Sequence, residues 1–149
     1  MPEFWVLNCK STIFDFESAL SDEKILNEGM TWKVSQQFDL ISPGDIYFLY
    51  AGAPHKSIVA CGYIEEGVVK QECDGNSAKY WKNTEKAQTA HRIFISISHI
   101  FRPYKTALEI NPSGIGKNEQ VPLGKQGSNK LVPALAKTRL SELLNLDFD

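Results

Sequence analysis

The stretch TWKVSQQFDLISPGDIYFLYAG, residues 31–52, sets a polar segment against an apolar one and divides them at Ser42-Pro43-Gly44-Asp45. Those four residues spell a turn, because Pro43 presets its own dihedral and Gly44 tolerates a positive one. The run after the turn, Ile46 to Gly52, is too short for a helix and rich in strand-forming side chains. A second apolar run, residues 57–66, follows across the short linker 53–56, so an antiparallel hairpin is the economical arrangement. Upstream of the turn, residues 31–34 read as extended. Trp32 falls at the edge of that segment with polar residues close behind it.

Working outward, Glu3 to Cys9 (EFWVLNC) is a compact apolar run suited to a buried strand. Thr12 and Asp15 stand at capping-box spacing ahead of a helix carrying Phe16, Ala19, Leu20 and Glu23 at helical intervals. Gly62 inside its strand signals a bulge or a close backbone approach. Residues 67–90 are polar apart from Tyr80 and Trp81 and are expected to form a long loop with at most a short helix; long ordered loops are often functional. In residues 91–101, Ile93, Ile95 and Ile97 alternate with Phe94, Ser96 and Ser98, the pattern of a half-buried strand. Residues 111–130 hold three glycines and two prolines before Gly127 and are expected to be irregular. Pro133 then opens a closing helix with Ala136, Leu140, Leu143 and Leu144 on one face. Five or six strands with few helices predict an α+β fold on a curved or closed sheet, in one domain spanning residues 1–149.

Composition is that of an ordinary globular chain, 42% hydrophobic and 23% charged. No apolar run approaches the roughly 18 residues a membrane span needs, and the amino terminus lacks a signal-peptide pattern; a soluble, cytoplasmic protein with no membrane partner is expected. Cys9, Cys61 and Cys73 have no CxxC spacing and read as buried free thiols. Net charge is −2, unlike a generic nucleic-acid binder. Its distribution is uneven: residues 1–29 hold six acids and two lysines, residues 102–139 seven bases and two glutamates. A basic face and ordinary solvated charges are both compatible with that pattern.

Catalytic patterns are not apparent. His55, His91 and His99 are scattered, without metal-ligand spacing, so no metal and no other cofactor is expected. Glu65 and Glu66 are adjacent on a strand and point to opposite faces, which prevents them from sharing a substrate as an acid/base pair. Residues 111–119 (NPSGIGKNE) lack the spacing and the strand-to-helix context of a phosphate loop. What remains is aromatic. Trp5 reads as core, whereas Trp32 and Trp81, at a strand edge and in a polar loop, serve either as packing or as the walls of a pocket.

Taken in order, FWVLNC, FDFESAL, TWKV, ISPGDIYFLYAG, SIVACGYIEE, RIFISISHIF and LGKQGSN resemble the EVE domain of the PUA-like superfamily, a relative of the YTH domain. The Trp-x-Val segment, the Pro-Gly-Asp turn and the late Gln-Gly-Ser-Asn motif are most similar to modules of prokaryotic modification-dependent restriction systems. The resemblance covers nearly the whole chain. It implies a small mixed β-barrel flanked by helices, and a noncatalytic reader that captures a methylated or hydroxymethylated base, flipped out or unpaired, in an aromatic pocket. It implies Trp32, Trp81 and Tyr50 as pocket aromatics, with Asn8, Ser35 and Gln36 as hydrogen-bonding groups. Lys125, Gln126, Ser128 and Asn129 match the loop near the nucleic-acid backbone, and Lys105, Lys117 and Lys130 become candidates for the phosphate path. The implied partner is nucleic acid, DNA in preference to RNA, with a fused or associated restriction nuclease or GTPase. Two other readings stand beside it: a PUA-like enzyme acting on a nucleotide or small ligand, with Glu65 or His91 as acid/base, and a small-molecule sensor or interaction domain.

Overall fold

The computed structural model describes residues 2–82, 89–124 and 128–145. Six strands, β1 (Phe4–Cys9), β2 (Met30–Lys33), β3 (Ile46–Ala51), β4 (Ser57–Gln71), β5 (Ala90–Thr106) and β6 (Asn129–Leu131), form one mixed sheet in the order β2-β5-β4-β3-β1-β6. Helices α1 (Phe16–Ala19), α2 (Glu23–Glu28), α3 (Ala107–Ile110) and α4 (Ala134–Leu144) flank it. The fold is α+β. β1 and β3 run parallel, and the other neighbours are antiparallel. A parallel pair needs a long connection; here α1, α2 and β2 provide it.

The apolar runs FWVL and IYFLYA are continuous because β1 and β3 are buried on both faces. Trp5, Leu7, Cys9, Tyr47, Leu49 and Ala51 join one core with residues of α1, α2, β2 and β5. Their neighbours in the chain, Phe4, Val6, Ile46, Phe48 and Tyr50, join a second core beneath Ala136, Leu140 and Leu144 of α4. The Pro-Gly-Asp turn ties the starts of these strands together. Gly44 takes a φ of 93°, and the buried Asp45 carboxylate accepts from the Glu3 and Ser42 backbone N–H groups and, at 3.0 Å, from Trp5 Nε1.

Several expectations require correction. The first helix divides in two: Asp15, not Thr12, caps α1 by accepting from the Ser18 N–H, and Asp22 starts α2 afresh by accepting from the Lys24 N–H. The expected loop at 67–90 is strand as far as Gln71, because β4 finds backbone partners in Ala90, His91 and Arg92. Cross-strand pairing there overrides a polar sequence. β6 lies within the segment expected to be irregular. Leu143 is 46% exposed, so the packed face of α4 is Ala136, Leu140 and Leu144 alone.

The sheet curls until its edges meet. Register shifts along β4 and β5 bend both long strands, and Gly62 permits the tightest approach, since a Cβ there would lie 1.9 Å from the Ser96 carbonyl oxygen. Asn129, at the β6 edge, then joins the segment that follows β2 at the opposite edge. Its Oδ1 accepts from the Ser35 N–H at 2.9 Å and its Nδ2 donates to the Gln36 carbonyl at 2.9 Å. Gln36 Nε2 returns a bond to the Asn129 carbonyl at 2.8 Å. Side chains rather than a backbone ladder thus close the seam. Among the described residues, no helix is long and apolar enough to cross a membrane.

Candidate modified-base pocket

A cavity of about 280 Å³ lies at this seam, between the end of β1 and the end of β2. Its aromatic side is built from three rings. Trp32, on the edge strand β2, packs edge-on against Phe14 with centroids 5.2 Å apart, and Trp81 lies 4.6 Å from Phe14 and 5.4 Å from Trp32. Cys9 and Ile13 complete the apolar lining, and Asn8, Lys10, Lys33, Ser35 and Ser128 bring polar groups to it.

Trp81 owes its position to a short β-bridge with Phe14. The Asp15 N–H donates to the Tyr80 carbonyl at 2.8 Å, and the Lys82 N–H donates to the Ile13 carbonyl at 2.6 Å. The preceding residue adds a side-chain tether, as Tyr80 donates its hydroxyl to Asp22 Oδ2 at 2.6 Å. That bond, followed by the one from the Lys24 N–H, holds the Asp22 carboxyl below its ordinary range and raises the Tyr80 phenol. An aromatic from a polar segment is thereby fixed beside two others.

The two indoles form a corner, not a clamp. Their planes are inclined by 44° with centroids 5.4 Å apart, whereas a flat ring held between parallel walls needs about 7 Å, two contacts of roughly 3.5 Å. A planar ligand therefore lies against one wall. Trp81 Nε1 is buried and has no hydrogen-bond partner among the described residues. An unpaired buried donor is costly, on the order of 1–3 kcal/mol, and a ligand acceptor reached by a small ring movement would relieve it. Among the described lining residues there are two lysines and no carboxylate.

Of the residues expected in the pocket, Trp32, Trp81, Asn8 and Ser35 line the cavity together. Tyr50 does not: it belongs to the opposite core with Phe48 and Ile58, because strand alternation turns it away from Leu49 and Ala51. Gln36 is also absent from the lining, its amide being committed to the seam. Ser128 lines the cavity and donates its backbone N–H to Ser35 Oγ at 3.2 Å. Asn129, expected at the nucleic-acid backbone, is completely buried and structural.

The expected phosphate path along Lys105, Lys117 and Lys130 is not at the cavity. Lys105 pairs with Ile58 and Lys130 with Val6, so both share the side of the sheet that carries the second core. Lys117 begins a 3-10 turn packed against α4. Lys125 and Gln126 lie outside the described residues. Sequence reasoning missed Cys9, Lys10, Ile13, Phe14 and Lys33. A signal for Lys33 was in plain view, at the centre of the Trp-x-Val segment; Phe14 was hidden in a segment read as helical.

The two side chains considered as acid or base are not among the lining residues. Glu65 is exposed and accepts from Ser96 Oγ at 2.8 Å, and His91 is exposed and stacked on Phe38 at 4.4 Å; neither borders the cavity. The one thiol in the lining, Cys9, is pushed up to about 12 by burial, against the opposing charge of Lys82. It stays protonated at neutral pH, the unreactive form of the group.

No family model and no curated protein matches the chain. Solved structures do. Human THYN1 protein, in complex with DNA containing 5-methylcytosine, superposes with a TM-score of 0.62 at 10% identity, over 97% of this chain and 99% of that one. Protein Rpa0253 from Rhodopseudomonas palustris gives 0.62 at 14% identity, over 95% and 92% of the two chains. ASCH from Zymomonas mobilis gives 0.54 at 15% identity, over 95% of each. At such identities the similarity is one of fold: the six-stranded mixed sheet with its flanking helices is the PUA-like fold of EVE and ASCH domains.

Proposed function

We propose that this chain is a noncatalytic reader of a modified base in nucleic acid, DNA in preference to RNA, which it takes flipped-out or unpaired into the aromatic corner. The observation that carries this reading is the cavity itself: three aromatic rings, an unpaired indole donor and two lysines around about 280 Å³. An extruded base loses its stacking neighbours, and a protein ring replaces each at roughly 1–3 kcal/mol. A buried methyl group adds up to about 0.8 kcal/mol, about fourfold in affinity. Stacking would supply most of the affinity, and the fit of the apolar lining to the methyl would supply discrimination. The complex of the similarly folded THYN1 with 5-methylcytosine DNA adds support.

The noncatalytic character is proposed on the protonated Cys9 thiol and on a lining to which neither Glu65 nor His91 belongs. Resemblance of the motifs alone adds a proposed setting, a specificity module that directs a restriction nuclease or GTPase. Its test is co-purification with such an enzyme. The reading itself is tested with sequence-matched oligonucleotides carrying methylated, hydroxymethylated or unmodified cytosine or adenine, as DNA and as RNA. A preference for one modified form, lost in Trp32→Ala while the variant still folds, supports it; equal affinity for all forms contradicts it.

A further inference from the structure

The lysines that reach the cavity come from the acid-rich half of the chain, not from the basic carboxy-terminal stretch. Lys10 directly follows the buried Cys9 at the end of β1 and is exposed, and its carbonyl accepts from the Ile13 and Phe14 N–H groups, fixing the turn that brings Phe14 to the site. Lys33 sits between the buried Trp32 and Val34 and is half-buried. Neither lysine has an ion pair among the described residues, and no carboxylate of those residues lines the cavity to neutralise them. In a chain of net charge −2, a local excess of two cations determines where a polyanion can settle.

We infer that Lys10 and Lys33 hold the phosphates on either side of the captured nucleotide. The inference rests on the modified-base reading. A base that enters the cavity leaves its two phosphodiesters outside, beside Lys10 and Lys33, both of which border the cavity. Lys33 alternates with Trp32 and starts on the other face of β2, but β2 is an edge strand, and a lysine side chain is long enough to pass round that edge to a phosphate. Such contacts position the strand without reading its sequence. Lysine at these places sets the salt dependence and general strength of binding, and the aromatic corner sets the choice of base.

The experiment measures affinity against salt concentration for modified and unmodified oligonucleotides, using the full chain and its Lys10→Gln, Lys33→Gln and Lys33→Arg variants. Lys105→Gln/Lys130→Gln serves as the control on the opposite side of the sheet. Each neutralised cavity lysine should reduce the slope of log K against log salt by about 0.7–0.9. Affinity for both oligonucleotides should fall by the same factor, so their ratio persists. Lys33→Arg should restore the slope, and the control pair should keep it. Unchanged slopes in both cavity variants, a loss confined to the modified oligonucleotide, or a slope lost in the control pair would each overturn the inference. If the unsubstituted chain binds with no preference among bases, the reader reading fails while the slopes still judge the lysines; no binding at all ends both.

Discussion

Trp5 and Trp32 are almost equally buried, at 0% and 2% exposure, yet they occupy opposite situations. Trp5 lies on an interior strand, next to the edge strand β6 but paired on both sides, and its indole N–H is bonded to Asp45. Trp32 lies on the edge strand, where the seam is closed by side chains and leaves a cavity against the ring. Exposure therefore says little about which aromatic is available to a ligand. What matters is whether the next layer is backbone, as in the middle of the sheet, or a join between two edges.

That contrast can be broken most directly by truncation. Trp5→Ala should cost about 3–5 kcal/mol, since it empties a filled core position and removes one donor from the Asp45 carboxylate. Trp32→Ala should cost less, because its ring already faces empty volume on one side. Denaturant midpoints for the two variants measure the difference, and equal losses would erase the distinction. Asn129→Ala comes next. It leaves the Ser35 N–H and Gln36 carbonyl without their partners, and a loss of about 1–3 kcal/mol is expected, together with weaker binding as Ser35 and Ser128 lose their fixed positions. Full affinity in a destabilised Asn129→Ala would separate seam from site.

Smaller effects sharpen the picture of Trp81. Trp81→Phe keeps an aromatic wall and removes the unpaired N–H, so unliganded stability should change by no more than about 1 kcal/mol. Affinity for the modified oligonucleotide should nevertheless drop. A donor with only a structural part would show the reverse, a stability loss with affinity retained. The smallest effect is that of pH. Asp22 has a folded value below its ordinary 3.8, first because of the Tyr80 hydroxyl, so its contribution is fully present above about pH 4 and is lost as pH falls through the lowered value. Unfolding measured down an acid series should show this loss in the unsubstituted chain and a reduced one in Tyr80→Phe.

Much of the fold was legible because local signals agreed with the global arrangement. Pro43, Gly44 and Asp45 announced a turn, and the runs on either side of His55 announced a hairpin; the structure has both. Where long-range pairing decides, the sequence misled: Val68 to Gln71 look like loop until β5 supplies their partners. The candidate site was half legible. Trp32 and Trp81 meet at the cavity, but Tyr50 is turned away by a single step of strand parity and Asn129 is used up in closing the seam. A chemical type suited to binding does not reveal which face of a strand it occupies, nor whether the fold has already taken its hydrogen bonds.

The central claim, that a visiting base enters against Trp32 and Trp81 while Trp5 serves only the interior, is open to one direct measurement. The chain has three tryptophans, and each gives one indole N–H resonance that substitution can assign. On titration with a modified-base oligonucleotide, the signals of Trp32 and Trp81 should shift, Trp81 most if its unpaired N–H gains an acceptor, and that of Trp5 should stay in place. Binding that leaves the Trp32 and Trp81 signals unmoved, or that shifts all three alike, would contradict the account.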